Sequence, residues 1–505
     1  MKKKIYSIDQ LEKIILSKRK AGLKIVMCHG VFDLLHFGHI NHFNSSKREG
    51  DILIVSVTSD KHVKKGPNRP YFNETIRTKS LASLEIVDYV FVSNSQTAIN
   101  SIIKIKPNFY SKGKDYSNNL NDVTGNIKYE KQAIKQVGGK ILITDDEMLS
   151  SSNLLNKFSP ILSSDQKLYL NGIKKKFDFG KIKKEIEKLS KLKVLILGES
   201  IIDKYVFCEA LGKSGKESVL SFKEYKSEKY LGGSLAIARH LSSFCKNISI
   251  ISFLGANLEE HNFIKKNLEK NIKTHFIKKS ESKTIVKTRI IDQIDNRKII
   301  GLYSVDDKPI NADEESSFKN KINKEIAKND LIIIADYGHG IFTNKIVDFI
   351  SKLKKFRSLN AQINSTNMGF HNIRKYKNVD SLVINASELR HEMRVRDGDL
   401  YELGKDLKRD IKSRNLSITM GRAGVMMLSN KKNINCPAFG LNTIDKIGAG
   451  DSLLALLSVC MYAKIDENLS LLIASLAAAQ SVQNIGNSKK ISKEELVKTL
   501  LHLIK

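Results

Sequence analysis

A β-branched run, Lys24-Ile25-Val26-Met27-Cys28, stops at Gly30 and gives way to a helix-like stretch through Arg48. A second strand-like run follows at Ile52–Thr58. Strand, helix, strand in that order constrains the fold, because two parallel strands need a crossover and the crossover is right-handed. Further strand-like runs at 89–92, 108–111 and 140–143, separated by helical segments, extend the pattern to about Lys157. From Phe158 to Lys191 the chain turns polar and Lys-rich, with helical periodicity at Ile182–Leu189, and reads as a linker and lead-in helix. A new apolar strand, Val194–Leu197, opens a second series with strands expected at 248–253, 331–335, 381–384 and 416–420. Short alternating segments between Val206 and Leu231, such as Val219-Leu220-Ser221-Phe222, predict a small β flap. The expected organisation is two different α/β domains, 1–157 and 192–505, joined by 158–191. A chain of 505 residues suits it, since single cores stop growing near roughly 250–300 residues.

Composition narrows the function classes. Lys and Arg number 85 against 54 Asp and Glu, a formal charge of +31, which invites a nucleic-acid or membrane partner. The basic residues are scattered among acidic ones, and no basic run carries the interleaved aromatics of a base-stacking platform. No nucleic acid and no membrane is therefore the expectation. Five widely spaced cysteines, with no CxxC pair, indicate neither a disulfide framework nor a zinc site. Asp9, Glu12 and Lys13 interrupt any signal-peptide core, and the longest apolar stretch, Leu453–Ala463, is too short to span a bilayer. A cytoplasmic chain is expected.

Two segments carry chemistry. The first reads His29-Gly30-Val31-Phe32-Asp33-Leu34-Leu35-His36-Phe37-Gly38-His39 at a strand-to-helix turn. Helix N-termini favour phosphate there, and Gly30 would let the backbone approach a ligand closely. His36 and His39, three apart, share one helix face and can stabilise the charge that develops as pyrophosphate leaves. This string resembles the HxGH signature of the nucleotidyltransferase superfamily, in its cytidylyltransferase-like branch. The resemblance runs over about 20–157: Arg69-Pro70 with Glu74-Thr75-Ile76-Arg77 resembles the branch's loop and ExxR helix. Ser111-Lys112-Gly113-Lys114-Asp115-Tyr116 resembles its phosphate-contacting loop, and Ser150-Ser151-Ser152-Asn153 the helix start that closes over the triphosphate. The family likeness implies a Rossmann-like domain in which His36 and His39 are catalytic. It also implies that Gly30, Phe32, Asp33, Arg77, Lys112, Ser150, Ser151 and Ser152 bind the nucleotide. Lys47 is a further candidate charge partner.

The second segment is Asp445-Lys446-Ile447-Gly448-Ala449-Gly450-Asp451, running into an apolar helix. Glycines before a helix expose N–H groups as an anion hole, and an Asp at the helix start can accept a proton from an attacking hydroxyl. With Gly198-Glu199-Ser200-Ile201-Ile202-Asp203, Gly232-Gly233, Asp336-Tyr337-Gly338-His339-Gly340, Asn385-Ala386-Ser387-Glu388 and Thr419-Met420-Gly421-Arg422-Ala423-Gly424, it resembles the ribokinase-like (PfkB) carbohydrate kinases over about 192–505. That likeness implies Asp451 as base and Gly448, Ala449 and Gly450 as the anion hole. Asp203, Gly232, Gly233 and Asp336 would bind the sugar. Asn385, Glu388, Thr419, Gly421 and Gly424 would bind the nucleotide, with Glu388 organising Mg²⁺ indirectly. Departures stand at Ala236, where the family carries Asn, at Asp445-Lys446-Ile447, and at Ile363-Asn364-Ser365-Thr366-Asn367 in place of an Asp-Pro-Lys stretch.

The two resemblances together are similar to the bifunctional heptose 7-phosphate kinases/heptose 1-phosphate adenylyltransferases, with the domain order read as reversed. They imply ATP-dependent phosphorylation of a heptose-like sugar or sugar phosphate. They also imply nucleotidyl transfer from ATP or CTP to a sugar 1-phosphate, with Mg²⁺ as cofactor and a homodimer through the flap. Two alternatives keep the folds: a polyol-phosphate cytidylyltransferase joined to an unrelated sugar kinase, or a transferase with a non-catalytic, sugar-sensing kinase-like half.

Overall fold

The computed structural model describes residues 3–63, 69–95, 97–113, 126–144, 162–213, 217, 219–363, 367, 369, 371–440 and 443–504. The chain divides into two compact units, 1–167 with 497–505, and 168–496.

In the first unit the expected alternation becomes one parallel sheet. Its strands are β1 (Ile25–Gly30), β2 (Ile52–Thr58), β3 (Tyr89–Ser93), β4 (Phe109–Gly113) and β5 (Lys140–Thr144), in the order β3-β2-β1-β4-β5. Both faces of β1 are covered. Ile25 and Met27 join Leu11, Ile15 and Phe91 on one side, while Val26 and Cys28 join Phe43, Val55 and Leu81 on the other. Alternation of side chains across a strand produces that split, and burial on both faces explains why the strand reads as a continuous apolar run. The crossover from β1 to β2 is the helix Phe37–Lys47.

The region 158–191 holds two helices among its described residues, Ser164–Lys176 and Phe179–Lys188. The second unit is built on β6 (Lys193–Gly198), β7 (Ser200–Lys213), β8 (Leu220–Gly233), β9 (Asn247–Gly255), β10 (Ile272–Lys279), β11 (Ile285–Asp292), β12 (Lys298–Ser304), β13 (Leu331–Asp336), β14 (Phe356–Ala361), β15 (Ser381–Asn385), β16 (Asn415–Thr419), β17 (Val425–Leu428) and β18 (Asn433–Cys436). Nine of these form the main sheet, ordered β10-β9-β6-β13-β14-β15-β16-β17-β18. It is parallel as far as β16, and the two last strands run antiparallel. The apolar stretch near 453–463 is a buried helix, Ala449–Tyr462.

The flap is larger than its sequence suggested. It is a four-stranded sheet, β12-β11-β7-β8, that recruits β11 and β12 from beyond β10 and begins at Ser200 rather than near Val206. Its long strands carry charged residues at intervals, which broke the apolar pattern on which the expectation rested. All five cysteines are free and buried.

Candidate functional site

In the first unit, strand order reverses between β1 and β4, so a crevice opens beyond their carboxyl ends. The chain leaving β1 turns through Phe32 at a positive φ of 50° and reaches the helix Phe37–Lys47 with His36 as its extended N-cap residue. His36 and His39 come together as the spacing predicted: their rings stack at 3.9 Å between centroids. Phe32 meets His39 edge-on at 5.4 Å and Phe43 at 5.3 Å, wedging the pair against the core. Partial burial holds the His36 imidazole below its usual range.

The other residues expected on the nucleotide sit differently. The Phe32 ring covers Gly30, where an added Cβ would meet the ring at 2.9 Å. The glycine makes room for this phenylalanine. Asp33 is buried and accepts from the Phe72 N–H at 2.9 Å and from Arg69 Nη1 at 3.1 Å. Arg77 is enclosed. It donates to the carbonyls of Phe72 (2.9 Å), Val31 (2.5 Å) and Thr58 (2.9 Å) and to Asp60 Oδ1 (2.5 Å). Asp33 and Arg77 therefore brace the loop after β1, because buried polar groups must spend their hydrogen-bonding capacity locally. Lys47 likewise is tied to Asp88 and to the Asp51 carbonyl. Lys112, buried at the end of β4, pairs with Glu130 at 3.1 Å. Removing one partner of such a buried pair costs about 3–5 kcal/mol, so a nucleotide recruits Lys112 only by substituting its own charge for that of Glu130. Lys114, Asp115, Tyr116 and Ser150–Asn153 lie outside the described residues.

In the second unit the expected residues gather at the carboxyl ends of the main strands, where ligands of open α/β sheets bind. Asn385 closes β15 and Thr419 closes β16; the Asn385 amide donates to Thr419 Oγ1 at 3.3 Å. Asn385 caps the helix Ala386–Glu392, and Glu388 returns the bond to the Asn385 N–H at 2.9 Å. Burial pushes the Glu388 carboxyl up to about 7. Gly421, exposed, and Gly424, buried against the Cys436 carbonyl, bound the turn between β16 and β17. Gly448 caps the helix Ala449–Tyr462 at a φ of 88°, a conformation costly for any residue with a Cβ.

Asp451, in the first turn of that helix, accepts a hydrogen bond from the Tyr337 hydroxyl at 2.6 Å. Burial and the neighbouring Asp203 carboxylate push it up to about 6, against the pull of Tyr337 and Lys287. Asp203, on β7, accepts from Arg289 Nη1 at 2.6 Å. An added Cβ on Gly232 would meet Asp203 Oδ2 at 2.3 Å, so the first glycine of the pair keeps that carboxylate in place. Asp336 is differently employed: it accepts from the Gly338 N–H (2.9 Å), the Tyr376 hydroxyl (2.7 Å) and Lys375 Nζ (2.8 Å). It is 1% exposed, and these bonds make it an internal anchor for the loop after β13. At the departures, Ala236 is buried within its helix, and Asn367 donates to the Tyr337 carbonyl at 3.0 Å. Residues 364–366 are not among those described.

Sequence reasoning missed Lys287 and Arg289. Register places Lys287 opposite Asp203 and Arg289 opposite Tyr205, and directly paired residues share a face. The period-two spacing of Lys287 and Arg289 was visible, but only the pairing with β7 aims them at Asp203. Glu199 was also missed as a bracing group. Its carboxylate accepts the N–H groups of Tyr337 (3.0 Å) and His339 (3.1 Å), and burial beside Asp336 pushes it up to about 8.

For the divalent cation, no group of three or more His, Cys, Asp or Glu among the described residues is placed to hold a metal ion. The lone Glu388 carboxylate suits Mg²⁺, which keeps waters and is carried chiefly by substrate phosphates. Bound Mg²⁺ would neutralise charge on the transferring phosphates.

Comparison with known proteins follows the same division. Residues 27–157 match the cytidylyltransferase-like family model, and residues 191–494 match that of the pfkB family carbohydrate kinases. The chain is 37% identical over 157 residues to the bifunctional protein HldE of Campylobacter fetus, covering 31% of each chain. It is 29% identical over 311 residues to the bifunctional protein HldE of Campylobacter jejuni, covering 61% of this chain and 64% of the relative. In these alignments the chain spans less than two-thirds of the relatives' own length. Among solved structures, a ribokinase from Thermotoga maritima aligns at 17% identity with a TM-score of 0.48, over 61% of this chain and 99% of that one. Phosphofructokinase-2 from Escherichia coli aligns at 12% identity with a TM-score of 0.49, over 63% and 100%. Because the kinase model covers well over half of the sequence, the chain belongs to the pfkB family of carbohydrate kinases.

Proposed function

We propose that the chain is a bifunctional enzyme of nucleotide-sugar synthesis. The observation that carries the reading is Asp451. It stands in the first turn of the helix Ala449–Tyr462, behind the Gly448–Gly450 turn, within the electrostatic reach of Asp203 and Lys287. The acceptor hydroxyl attacks the γ-phosphorus of ATP, the bond to the β-bridging oxygen breaks, ADP leaves, and Asp451 takes the hydroxyl proton. N–H groups at the helix start stabilise the transferring phosphoryl. In the first unit an oxygen of a sugar 1-phosphate attacks the α-phosphorus of ATP or CTP, and pyrophosphate departs while His36 and His39 stabilise its growing charge. Free cysteines throughout, and no described helix long and apolar enough to cross a membrane, support a cytoplasmic setting.

Lys287 and Arg289, both beside Asp203, favour an anionic acceptor, in keeping with the heptose-like sugar phosphate that the family resemblance implies. The test is mass spectrometry of products from the purified chain with Mg²⁺, ATP and CTP, with heptose 7-phosphate and heptose 1-phosphate in separate tubes. A bisphosphate from the first and a nucleotide-heptose from the second are expected. Lys287→Ala should raise KM for the phosphorylated acceptor tenfold or more, on the order of 1.4 kcal/mol, and leave that for ATP unchanged. A nucleotide-sugar with no bisphosphate would support the sensing reading of the kinase-like half.

We also infer that a second copy covers the flap. Ile300 and Leu302 lie exposed on β12 and pair with Ile290 and Thr288, on the face opposite Lys287. Leu211 on β7 and Leu220 on β8 of the same sheet are also exposed. Light scattering should give a dimer mass that Leu302→Lys reduces to a monomer. A monomeric parent chain would sink the idea.

A further inference from the structure

The proton acceptor Asp451 is held by a residue from another element. Tyr337, immediately after β13, lies 114 positions earlier in the chain, and its hydroxyl donates to Asp451 Oδ1 at 2.6 Å. Tyr337 is itself fixed on three sides. Its N–H donates to Glu199 Oε2 at 3.0 Å, and its carbonyl accepts from the Asn367 amide at 3.0 Å. The neighbouring His339 N–H donates to the other Glu199 oxygen at 3.1 Å. One residue before it, Asp336 anchors Gly338, Tyr376 and Lys375. The residue is 4% exposed.

We propose that Tyr337 is a positioning residue for phosphoryl transfer: its hydroxyl pins one Asp451 oxygen and leaves the other to receive the acceptor's proton. This inference rests on the kinase reading above. A hydrogen bond donated to a carboxylate favours the ionised form. Here it counters two influences that favour protonation, burial and the Asp203 carboxylate on β7, and it acts alongside Lys287 on β11. Without the hydroxyl, Asp451 stays protonated to higher pH and its free oxygen loses its fixed direction.

Tyr337→Phe keeps the ring and removes only the hydroxyl. Its kcat should fall about tenfold or more, and the acid limb of kcat against pH should move up by about one unit, with KM for ATP unchanged. A purely structural tyrosine would lower the melting temperature and leave the pH profile where it was. The second readout needs no turnover: the Asp451 carboxyl ¹³C resonance, identified by its loss in Asp451→Asn, should titrate at higher pH in Tyr337→Phe. An unmoved acid limb and an unmoved titration overturn the proposal. Absence of phosphoryl transfer in the parent chain, together with a moved titration, upholds the pinning of Asp451 and overturns the kinase reading instead.

Discussion

Asp451→Asn is expected to lower phosphoryl transfer by about 10²–10⁴-fold, the range for loss of a positioned general base, while nucleotidyl transfer keeps its full rate. The asymmetry follows from the chain's division, since each unit carries its own constellation. In the parent enzyme the same carboxyl sets a pH dependence. Held up to about 6 by burial and Asp203, it is protonated and inactive in acid, so kinase kcat should rise as pH passes upward through about 6. Stability moves the other way. A carboxyl whose folded pKa lies above its unfolded value contributes stability below the unfolded pKa and loses it as pH rises through the folded one. Above about pH 6 the ionised Asp451 is therefore a burden, and Asp451→Asn should melt no lower than the parent at pH 8. Loss of activity with undiminished stability marks a group kept for chemistry. Kinase turnover surviving in Asp451→Asn, or a variant that merely unfolds, would refute the assignment.

His36→Ala should cost nucleotidyl transfer about 10²–10³-fold, the usual consequence of removing one donor aimed at developing charge, and should leave the kinase untouched. His39→Ala should cost at least as much, because that ring also packs against Phe32 and Phe43. Pyrophosphate release under saturating nucleotide separates the two effects: His36→Ala should lower kcat at an unchanged melting temperature, whereas His39→Ala should lower both. A His36→Ala enzyme that releases pyrophosphate at the parent rate would remove the histidine pair from the mechanism.

Much of this was legible in the residue order. The strand-turn-helix at Gly30–His39 and the glycine turn before Asp451 are local features, and local periodicity determines which side chains share a helix face. His36 does stack on His39, though from the extended N-cap position before the helix and not from a helical turn. The intramolecular partners of several candidate residues lie far off in sequence and could not be read from it. Arg77 and Asp33 look like ligand contacts in a motif, yet their charges are consumed by backbone groups of the loop after β1. Asp336 looks like a sugar contact and is buried beneath Lys375 and Tyr376.

By itself the sequence determined two α/β units, their strand alternation and the helix starts that favour phosphate, because these depend on spacing over a few residues. Tertiary structure alone decided which charges remain for a substrate. It set Lys287 against Asp203 by strand register, took Lys47 and Lys112 into ion pairs with Asp88 and Glu130, and brought Tyr337 to Asp451. The physical reason is that a buried charge must be satisfied by whatever group the fold brings within about 3 Å, and sequence separation carries no information about that distance.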